Sequence, residues 1–317
     1  MGDYTKLKLD EALKIGEIYN LGEVVALQPL SLGISNSNYK LNTKNSSYLL
    51  KVSNDKSIQQ TREEMSLLKY LSELKYPYAL VPLNTNQGDF VYQLDEKFGV
   101  VFPFLNGIPP GPSDVTCEEI GEGLAKLHSL KHVPKKLTGI RNHENVGFGA
   151  PEVYEFTQSI SCPNDFKELF HIMFPHQLTW FQEFKWERGI IHGDLYYDNV
   201  LFKSEKLQIF LDWEQGGVGE YLLDLGIAIS GTCLEKGRLN TSLIKCFIKG
   251  YQNERSLPAE EKAHLVDAIG LGLFSIALWR IKRFKEKNLN PLMAESYREL
   301  LYRAEIFNET IKSESIF

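Results

Sequence analysis

The stretch that decides the fold is IIHGDLYYDN, at residues 190–199, and it is followed by FLDW at residues 210–213. The first segment has the pattern H-x-D-L-x-x-x-N, which begins at His192 and ends at Asn199. The second segment supplies another aspartate, Asp212, thirteen residues after the asparagine. Carboxylate and amide oxygens are candidate ligands for a hard cation, and a carboxylate in a turn is a candidate proton acceptor.

Two short apolar runs, at residues 200–202 and 207–211, lie between Asn199 and Asp212. The polar turn KSEK at residues 203–206 joins them, so the sequence predicts a hairpin. Because a hairpin closes its two ends against each other, we expect Asn199 and Asp212 to meet. This arrangement is typical of the catalytic loop and the metal-binding segment of the protein-kinase-like fold.

Phosphoryl transfer to an alcohol explains why these residue types are needed. A carboxylate must lie within about 3 Å of the acceptor hydroxyl to take its proton, and Asp194 is the candidate base. The triphosphate carries negative charge that Mg²⁺ offsets, and Asp212 and Asn199 are the candidate metal ligands. The alternative is that Asp194 and Asp198 are turn or cap residues and that Asp212 only ends a strand. The residues taken together favour a kinase that depends on ATP and Mg²⁺.

Other residues near this segment are interpreted as supporting groups. His192 is expected to pack and hydrogen-bond within the loop rather than to act as an acid or base. Asp224 is expected to cap the next helix and to brace the catalytic loop. The glycine-rich run at residues 216–219 follows the metal aspartate rather than a first strand, so we expect a flexible loop on the substrate side.

Composition and charge limit the possible partners. The chain has 317 residues, of which 43% are hydrophobic and 24% charged, as in soluble globular proteins. Its formal net charge of -6 does not attract nucleic acid or an anionic membrane surface, which leaves a small molecule or a protein as the partner. The kinase motif favours a small-molecule alcohol. The N-terminal residues include acids and lysines instead of the apolar core of a signal peptide. We therefore expect a cytoplasmic protein, as a monomer or a homodimer.

The first part of the chain predicts a small antiparallel sheet. Alternating, β-branched runs occur at residues 23–28, 38–42, 47–52, 89–94 and 98–102. Helical spacing of apolar residues predicts helices at residues 7–18 and 57–74. Proline and glycine crowd into residues 103–112, where neither a helix nor a central strand is favoured. We therefore predict an N-terminal nucleotide-binding lobe over residues 1–103.

The remainder, residues 104–317, predicts a larger and mainly helical lobe that carries the catalytic loop and the substrate site. Capping residues begin predicted helices at residues 113–130 and 164–187. The apolar run at residues 265–281 is shorter than the roughly 20 residues that a bilayer needs, so it predicts a buried helix. The basic residues after it are interpreted as a solvated helix end. The predicted class is α+β, a bilobal protein-kinase-like fold.

The N-terminal lobe contains a candidate ion pair for the nucleotide site. Lys51 lies in an apolar strand, and Glu64 follows thirteen residues later in the long predicted helix. An ion pair between them would hold the lysine against the α- and β-phosphates, and Glu63 is the competing partner.

Two further segments of this lobe are candidates for nucleotide contacts. Residues 31–38 are expected to cover the phosphates with backbone amides and small polar side chains, in particular Gly33, Ser35 and Asn36. An ordinary hairpin turn is the alternative for this loop. The adenine is expected near the hinge, with Phe102 and Phe104 as candidate contacts and the hinge backbone as its hydrogen-bonding partner.

The order of these motifs resembles that of the aminoglycoside phosphotransferase and choline kinase superfamily. The motifs that carry the resemblance are LGISN at 32–36, Lys51, Glu64, GEGLAKLH at 121–128, HGD at 192–194, Asn199, LDW at 211–213 and LDL at 223–225. Within the superfamily, GISNSNY at 33–39 and LLDLGIAI at 222–229 are similar to the bacterial homoserine kinase family of the protein-kinase-like type. This resemblance implies transfer of the ATP γ-phosphate to homoserine.

Other acceptors stay open at this point. A choline or ethanolamine kinase would use Tyr196, Tyr197 and Trp213 as an aromatic box for the cation, although these rings can equally serve packing. An aminoglycoside kinase would need carboxylates such as Glu214 to meet a polycation, and a sugar kinase is a further alternative. A catalytically inactive regulator that binds nucleotide is disfavoured by the intact catalytic and metal-binding motif.

Overall fold

The computed structural model describes residues 5–30, 36–54, 56–130, 149–287 and 290–317. Contacts within the chain divide it into two units, of which the first reaches Gly107 and the second begins at Ile108. The first unit holds a five-stranded antiparallel sheet, and the second is mainly helical. The predicted α+β class is confirmed, while the predicted boundary after residue 103 stays a prediction.

The first unit combines the predicted helices and the predicted strands. Its elements are α1 (Leu9–Ile18), β1 (Val24–Leu30), β2 (Asn36–Thr43), β3 (Ser47–Ser53), α2 (Ile58–Glu73), β4 (Val91–Leu94) and β5 (Lys97–Pro103). The strand order is β1-β2-β3-β5-β4, and every neighbouring pair is antiparallel. β4 begins two residues later than predicted, because the Asp89 carboxylate accepts a hydrogen bond from the Val91 amide at 3.2 Å and forms a turn there.

One face of this sheet packs against α1 and forms the core of the first unit. Leu50 and Val52 of β3 are buried in this core together with apolar side chains of α1. Since side chains alternate along a strand, Lys51 belongs to the opposite face. Ser53 shares that face, and its hydroxyl oxygen lies 3.3 Å from that of Thr61 in α2. The sheet therefore separates an apolar core from a face that carries Lys51 and meets α2.

In the described ranges, the second unit combines helices with three two-stranded β-ribbons. Its elements are α3 (Asp114–His128), α4 (Ala150–Thr157), α5 (Asn164–Met173), α6 (Thr179–Glu183), β6 (Arg188–Ile191), β7 (Val200–Lys203), β8 (Lys206–Phe210), β9 (Gly217–Glu220), α7 (Tyr221–Thr232), β10 (Leu234–Glu235), β11 (Arg238–Leu239), α8 (Thr241–Glu254), α9 (Ala259–Ala263), α10 (Leu265–Arg280) and α11 (Tyr297–Thr310). The ribbons are β6-β9, β7-β8 and β10-β11, and the second of them confirms the predicted hairpin between residues 200 and 211.

Two sequence predictions for this unit are wrong. The helix predicted over residues 164–187 ends at Met173, because Pro175 cannot continue it, and Gln177 and Leu178 take left-handed backbone angles. The glycine-rich run at 216–219 is not a flexible loop, since Gly217–Glu220 is the strand β9 and pairs with β6. Glycine in an extended strand needs no special backbone angle, so a glycine-rich run does not by itself indicate a flexible loop.

The helix α10 forms the centre of the helical unit. Most of its side chains are buried, which confirms the buried helix predicted at residues 265–281. Its Phe274 ring lies 4.9 Å from Phe166, 5.5 Å from Phe170 and 5.8 Å from Phe174, measured between ring centroids. Edge-to-face packing of this kind adds to the free energy gained from burial. Across the ranges that the structure describes, no helix is both long and apolar enough to cross a membrane.

We expect the Phe274→Ala substitution to destabilise the protein by about 3–5 kcal/mol, because it leaves a cavity among three other phenylalanine rings. Urea unfolding measures this change, followed by tryptophan fluorescence, since all four tryptophans lie in the second unit. Phe317→Ala is the matched control, because that side chain is 52% exposed. Equal loss of stability in the two variants would contradict this account of the core.

Candidate active site

Two β-ribbons bracket the two segments of the sequence motif. β6 leads into residues 192–199, β7 and β8 follow as a hairpin, and residues 211–216 lead into β9. Val200 pairs with Phe210 at the base of one ribbon, and Ile191 pairs with Gly217 at the end of the other. The two loops therefore begin and end beside each other. The sequence folds in this way because the turn between β7 and β8 is only two residues long, with both residues at positive φ.

Asn199 lies directly against Asp194. Its side-chain nitrogen donates to the Asp194 backbone oxygen at 2.8 Å and to the Asp194 carboxylate at 3.3 Å. The amide nitrogen is thus turned towards Asp194, which leaves the amide oxygen as an acceptor on the other side. The Leu211 amide donates to the Asn199 backbone oxygen at 2.7 Å. This bond brings Asp212, the next residue, to the same loop.

Asp212 is held in a strained backbone conformation. Its φ of 56° and ψ of 64° are left-handed, which is uncommon for a residue other than glycine and costs about 1–3 kcal/mol. The residues on both sides fix it. His192 Nε2 lies 2.9 Å from the Leu211 backbone oxygen, and the Trp213 indole donates to the Phe210 oxygen at 2.9 Å. Strain that is held by several bonds is typical of functional positions.

Carboxylates concentrate negative charge around Asp194. Burial raises the pKa of Asp194 well above its usual range, and the charges of Asp212, Glu214 and Asp198 raise it further. Burial also raises the pKa of Asp198. A partly buried group of acids without a compensating cation is unfavourable, so the site suits a divalent cation.

The residues fit a magnesium ion better than a metal held only by protein. Asp212 and Asn199 offer one carboxylate and one amide oxygen, and Mg²⁺ is commonly bound by one or two protein oxygens together with water and phosphate oxygens. Within the described ranges there is no group of three or more His, Cys, Asp or Glu side chains that could hold a metal.

Asp224 and His192 support the catalytic loop from inside. The Asp224 carboxylate accepts hydrogen bonds from the amides of His192 at 2.9 Å and Gly193 at 2.7 Å, which confirms the predicted brace. The prediction that it caps a helix is wrong, because it lies in the first turn of α7 and Glu220 has the N-cap position. The Asp194 amide donates to His192 Nδ1 at 3.3 Å, so the histidine supports the loop on both sides.

The side chains predicted to contact the acceptor differ in exposure. Tyr197 is 46% exposed, whereas Trp213 is 2% exposed and Glu214 is 6% exposed. The Trp213 ring packs on His192 with 4.6 Å between centroids, which agrees with the packing alternative, and its role in an aromatic box stays a prediction. Tyr196 lies against Gly231 of α7, where an added Cβ would come within 2.5 Å of the tyrosine ring. Burial raises the pKa of Tyr196 to about 12.

The candidate ion pair of the first unit has a neighbouring cation, Lys56, that no sequence motif indicated. Glu64 is buried, and its carboxylate accepts a hydrogen bond from Lys56 at 2.7 Å. Glu64 and Thr61 are three residues apart and share one side of α2, the side that meets the sheet face of Lys51. Glu63 instead accepts a hydrogen bond from Gln59 at 3.2 Å. Pairing of Lys51 with Glu64 stays a prediction, and Lys56 adds a second cation to it.

The other predicted nucleotide residues are only partly described. Gly33 and Ser35 lie outside the described residues, and Asn36 is buried as the first residue of β2, opposite Ser53. Phe102 is buried in β5. The amide of Phe104 donates to the Ser47 oxygen at 3.1 Å, so the hydrogen bond predicted for adenine must come from another hinge group.

The sheet unit, the helical unit and the motif together define the class as a protein-kinase-like phosphotransferase that uses an alcohol acceptor. The model of the phosphotransferase enzyme family matches residues 26–257. The chain belongs to this family, which confirms the resemblance drawn from the sequence.

Individual proteins resemble the chain over almost its full length. Homoserine kinase of Polaromonas naphthalenivorans is 28% identical over 293 residues, which are 90% of each chain. Homoserine kinase of a Janthinobacterium species is 25% identical over 289 residues, which are 90% of this chain and 88% of the relative. The solved structure of an amicoumacin kinase in complex with AMP-PNP, Ca²⁺ and Ami aligns with a TM-score of 0.70 at 16% identity, over 96% of this chain and 94% of that one. This likeness confirms the fold.

We expect Gly193→Ala to destabilise the protein more than Gly237→Ala. Both glycines have positive φ, 76° and 77°, so alanine costs about 1–2 kcal/mol of backbone strain at either position. Only at Gly193 would the added Cβ also meet another group, the Gln215 backbone oxygen at 2.5 Å, because nothing lies within 4 Å at Gly237. Denaturant unfolding of the two variants measures the difference. Equal destabilisation would mean that the loop at residue 193 is not held against residue 215.

Proposed function

We propose that this protein transfers the γ-phosphoryl group of ATP to the hydroxyl group of homoserine, with Asp194 as the catalytic base and with Asp212 and Asn199 as ligands of Mg²⁺. The observation that carries the proposal is the placement of Asn199 on Asp194 and of Leu211 on Asn199. It gives one loop region both a proton acceptor and oxygen ligands for a cation. The names of the relatives support homoserine as the acceptor.

The chain's own residues supply orientation and proton transfer. The Asp194 carboxylate would accept the proton of the acceptor hydroxyl as its oxygen attacks phosphorus, and the Asn199 amide fixes the carboxylate in one orientation. The raised pKa of Asp194 reflects burial and three neighbouring carboxylates. Mg²⁺, when bound with the nucleotide, would offset these charges and those of the phosphates. Asp194 then regains the ionised form that a base requires.

In the first unit, Lys51 and Glu64 are proposed to hold the α- and β-phosphates, with Gly33, Ser35 and Asn36 covering them. Phe102 and Phe104 are proposed to contact the adenine. Since these groups lie in one unit and the catalytic loop lies in the other, the proposal requires both units for activity. We further propose that the enzyme is cytoplasmic and acts on a free small molecule, as a monomer or a homodimer.

A partly buried cation, Arg280, supports an acceptor that carries a carboxylate. The Arg280 guanidinium lowers the pKa of Tyr196 against the larger effect of burial, and it acts in the same direction on Asp198. Arg280 is 19% exposed and donates to the Ser296 backbone oxygen and to Glu299, both at 2.9 Å. Lys285 and Lys287 of the basic cluster predicted as a solvated helix end are exposed, whereas Arg280 is only partly exposed. Homoserine has a carboxylate that this positive charge would attract, whereas choline does not.

We expect Asp194→Ala to lower turnover by about 10²–10⁴-fold, the range found for loss of a general base, while ATP binding stays nearly unchanged. Asp212→Ala is expected to weaken magnesium-dependent nucleotide binding as well, because it removes a metal ligand. Coupled ADP release gives the turnover, and calorimetric titration with ATP and Mg²⁺ gives the affinity. Equal turnover by Asp194→Ala and the unmodified protein would refute the assignment of the base.

We expect homoserine to be the preferred acceptor in a panel with homoserinol, serine, ethanolamine, choline, a hexose and an aminoglycoside. Homoserinol has the same reacting hydroxyl but no carboxylate, and a site built for a polar group rejects an analogue without it, here by about 100-fold or more in kcat/KM. Coupled ADP release measures each acceptor. Preference for an aminoglycoside or for choline would overturn the substrate and leave the phosphotransferase reaction standing.

A further inference from the structure

The carboxylate that braces the catalytic loop is fully buried and fully hydrogen-bonded. Asp224 has 0% exposure, and its two oxygens accept the amides of His192 and Gly193. A buried carboxylate is costly unless donors surround it. These amides immediately precede Asp194, so the position of Asp224 sets the position of the proposed base.

A third donor to Asp224 comes from a different helix. His128, at the end of α3, is 4% exposed, and its Nε2 lies 3.0 Å from Asp224 Oδ2. Its other ring nitrogen, Nδ1, lies 2.7 Å from the hydroxyl oxygen of Tyr251 in α8. An ionised carboxylate only accepts hydrogen bonds, so Nε2 must carry the proton. Burial lowers the pKa of His128, which favours the neutral ring with Nδ1 as an acceptor.

The hydrogen bonds continue from His128 to Tyr251 and Arg255. Arg255 donates from Nη1 to the Tyr251 hydroxyl oxygen at 3.0 Å, and a guanidinium cannot accept. Because the neutral His128 ring carries its proton on Nε2, its Nδ1 accepts the proton of the Tyr251 hydroxyl. Arg255 itself is held by the Glu261 carboxylate through two bonds of 2.8 and 2.9 Å. Donation therefore runs in one direction, from Arg255 through Tyr251 and His128 to Asp224.

Close packing of the α3 and α8 backbones brings His128 and Tyr251 within hydrogen-bonding distance. Gly121 of α3 and Gly250 of α8 face the other helix so closely that an added Cβ would overlap the backbone oxygen of Phe247 or Glu118, respectively. The His128 ring also stacks on Tyr221 at 4.3 Å between centroids. The ring has packing partners and hydrogen-bond partners that all agree on one orientation.

We infer that His128 is a positioning residue for the phosphoryl transfer: held in place by Tyr251, which Arg255 contacts in turn, it orients the Asp224 carboxylate that places the amides next to Asp194. The inference rests on the proposed function, in which Asp194 is the base. His128 lies inside the unit and acts through Asp224 on the loop backbone, so the expected effect of losing it is on kcat, with little change in KM for ATP or homoserine.

The test compares His128→Leu with His128→Gln. Leucine removes the donor to Asp224, and kcat is expected to fall about 100-fold, as for a small misplacement of a catalytic group. Glutamine has a donor nitrogen at a similar distance from the backbone. The kcat of His128→Gln is therefore expected to reach at least about a tenth of the kcat of the unmodified protein. Rates are expressed per nucleotide-binding site, so that unfolded protein does not contribute. Equal kcat in the leucine variant and the unmodified protein would overturn the inference.

A second pair of variants guards against failure of the leucine variant to fold. Tyr251→Phe removes only the hydroxyl that orders His128, and it is expected to lower kcat about tenfold, since small displacements of catalytic groups are costly. Tyr297→Phe is the matched control: this buried tyrosine also hydrogen-bonds, at 3.2 Å to Asp165, but belongs to α11. It is expected to keep kcat within about twofold, because distant sites act independently. Equal losses in the two tyrosine variants would indicate a general loss of stability and contradict the inference.

Hydrogen exchange separates this inference from the proposed function. The amides of His192 and Gly193 should exchange faster in His128→Leu and in Tyr251→Phe than in Tyr297→Phe, because their acceptor is no longer held. This result requires no acceptor substrate. If the unmodified protein phosphorylates none of the acceptors but exchange responds in this way, the proposed substrate fails and the positioning of the loop stands. Unchanged exchange rates of these two amides in the variants would refute the positioning role of His128.

Discussion

The buried carboxylate of Asp224 is the interaction on which the arrangement of the catalytic loop depends. It is 0% exposed and receives three donors, two from the backbone that precedes Asp194 and one from His128. Because a buried charge is stable only when its donors stay in place, the carboxylate and the loop hold each other. The donors lower the pKa of Asp224 against the effect of burial, so it remains ionised as the brace requires.

The electrostatic environment of Asp194 is the opposite of that of Asp224. Asp194 has other carboxylates around it and one amide donor, and its pKa is raised. Asp224 is thus stabilised as an anion by the protein itself, whereas the surroundings of Asp194 disfavour its charge. This difference suits the roles proposed for them, a permanent brace for Asp224 and, for Asp194, a base that becomes competent when a metal ion and nucleotide bind. The strained Asp212 supplies an oxygen at the place where that cation would bind.

Much of the fold could be predicted from local patterns, and the failures have local causes. Buried and partly exposed positions alternate along most of β2, and the β7–β8 hairpin has a polar turn of suitable length. The helix predicted from the cap at residue 164 ends at Met173, because a cap indicates where a helix begins and Pro175 prevents its continuation. In the site, the sequence alone made Trp213 a candidate ligand contact. The structure shows that its ring is buried and packs against His192.

The sequence by itself determined the class of protein, its two kinds of secondary structure and the motif of Asp194, Asn199 and Asp212, because these residues lie within one short stretch at fixed intervals. Only the tertiary structure decided which distant side chains support them. His128 precedes Asp224 by nearly a hundred positions in the chain, and Lys56 approaches Glu64 from a loop. Such partners are not separated by any regular interval in the sequence, because they meet through helix packing and burial. The directions of their hydrogen bonds follow only from the complete set of neighbouring groups.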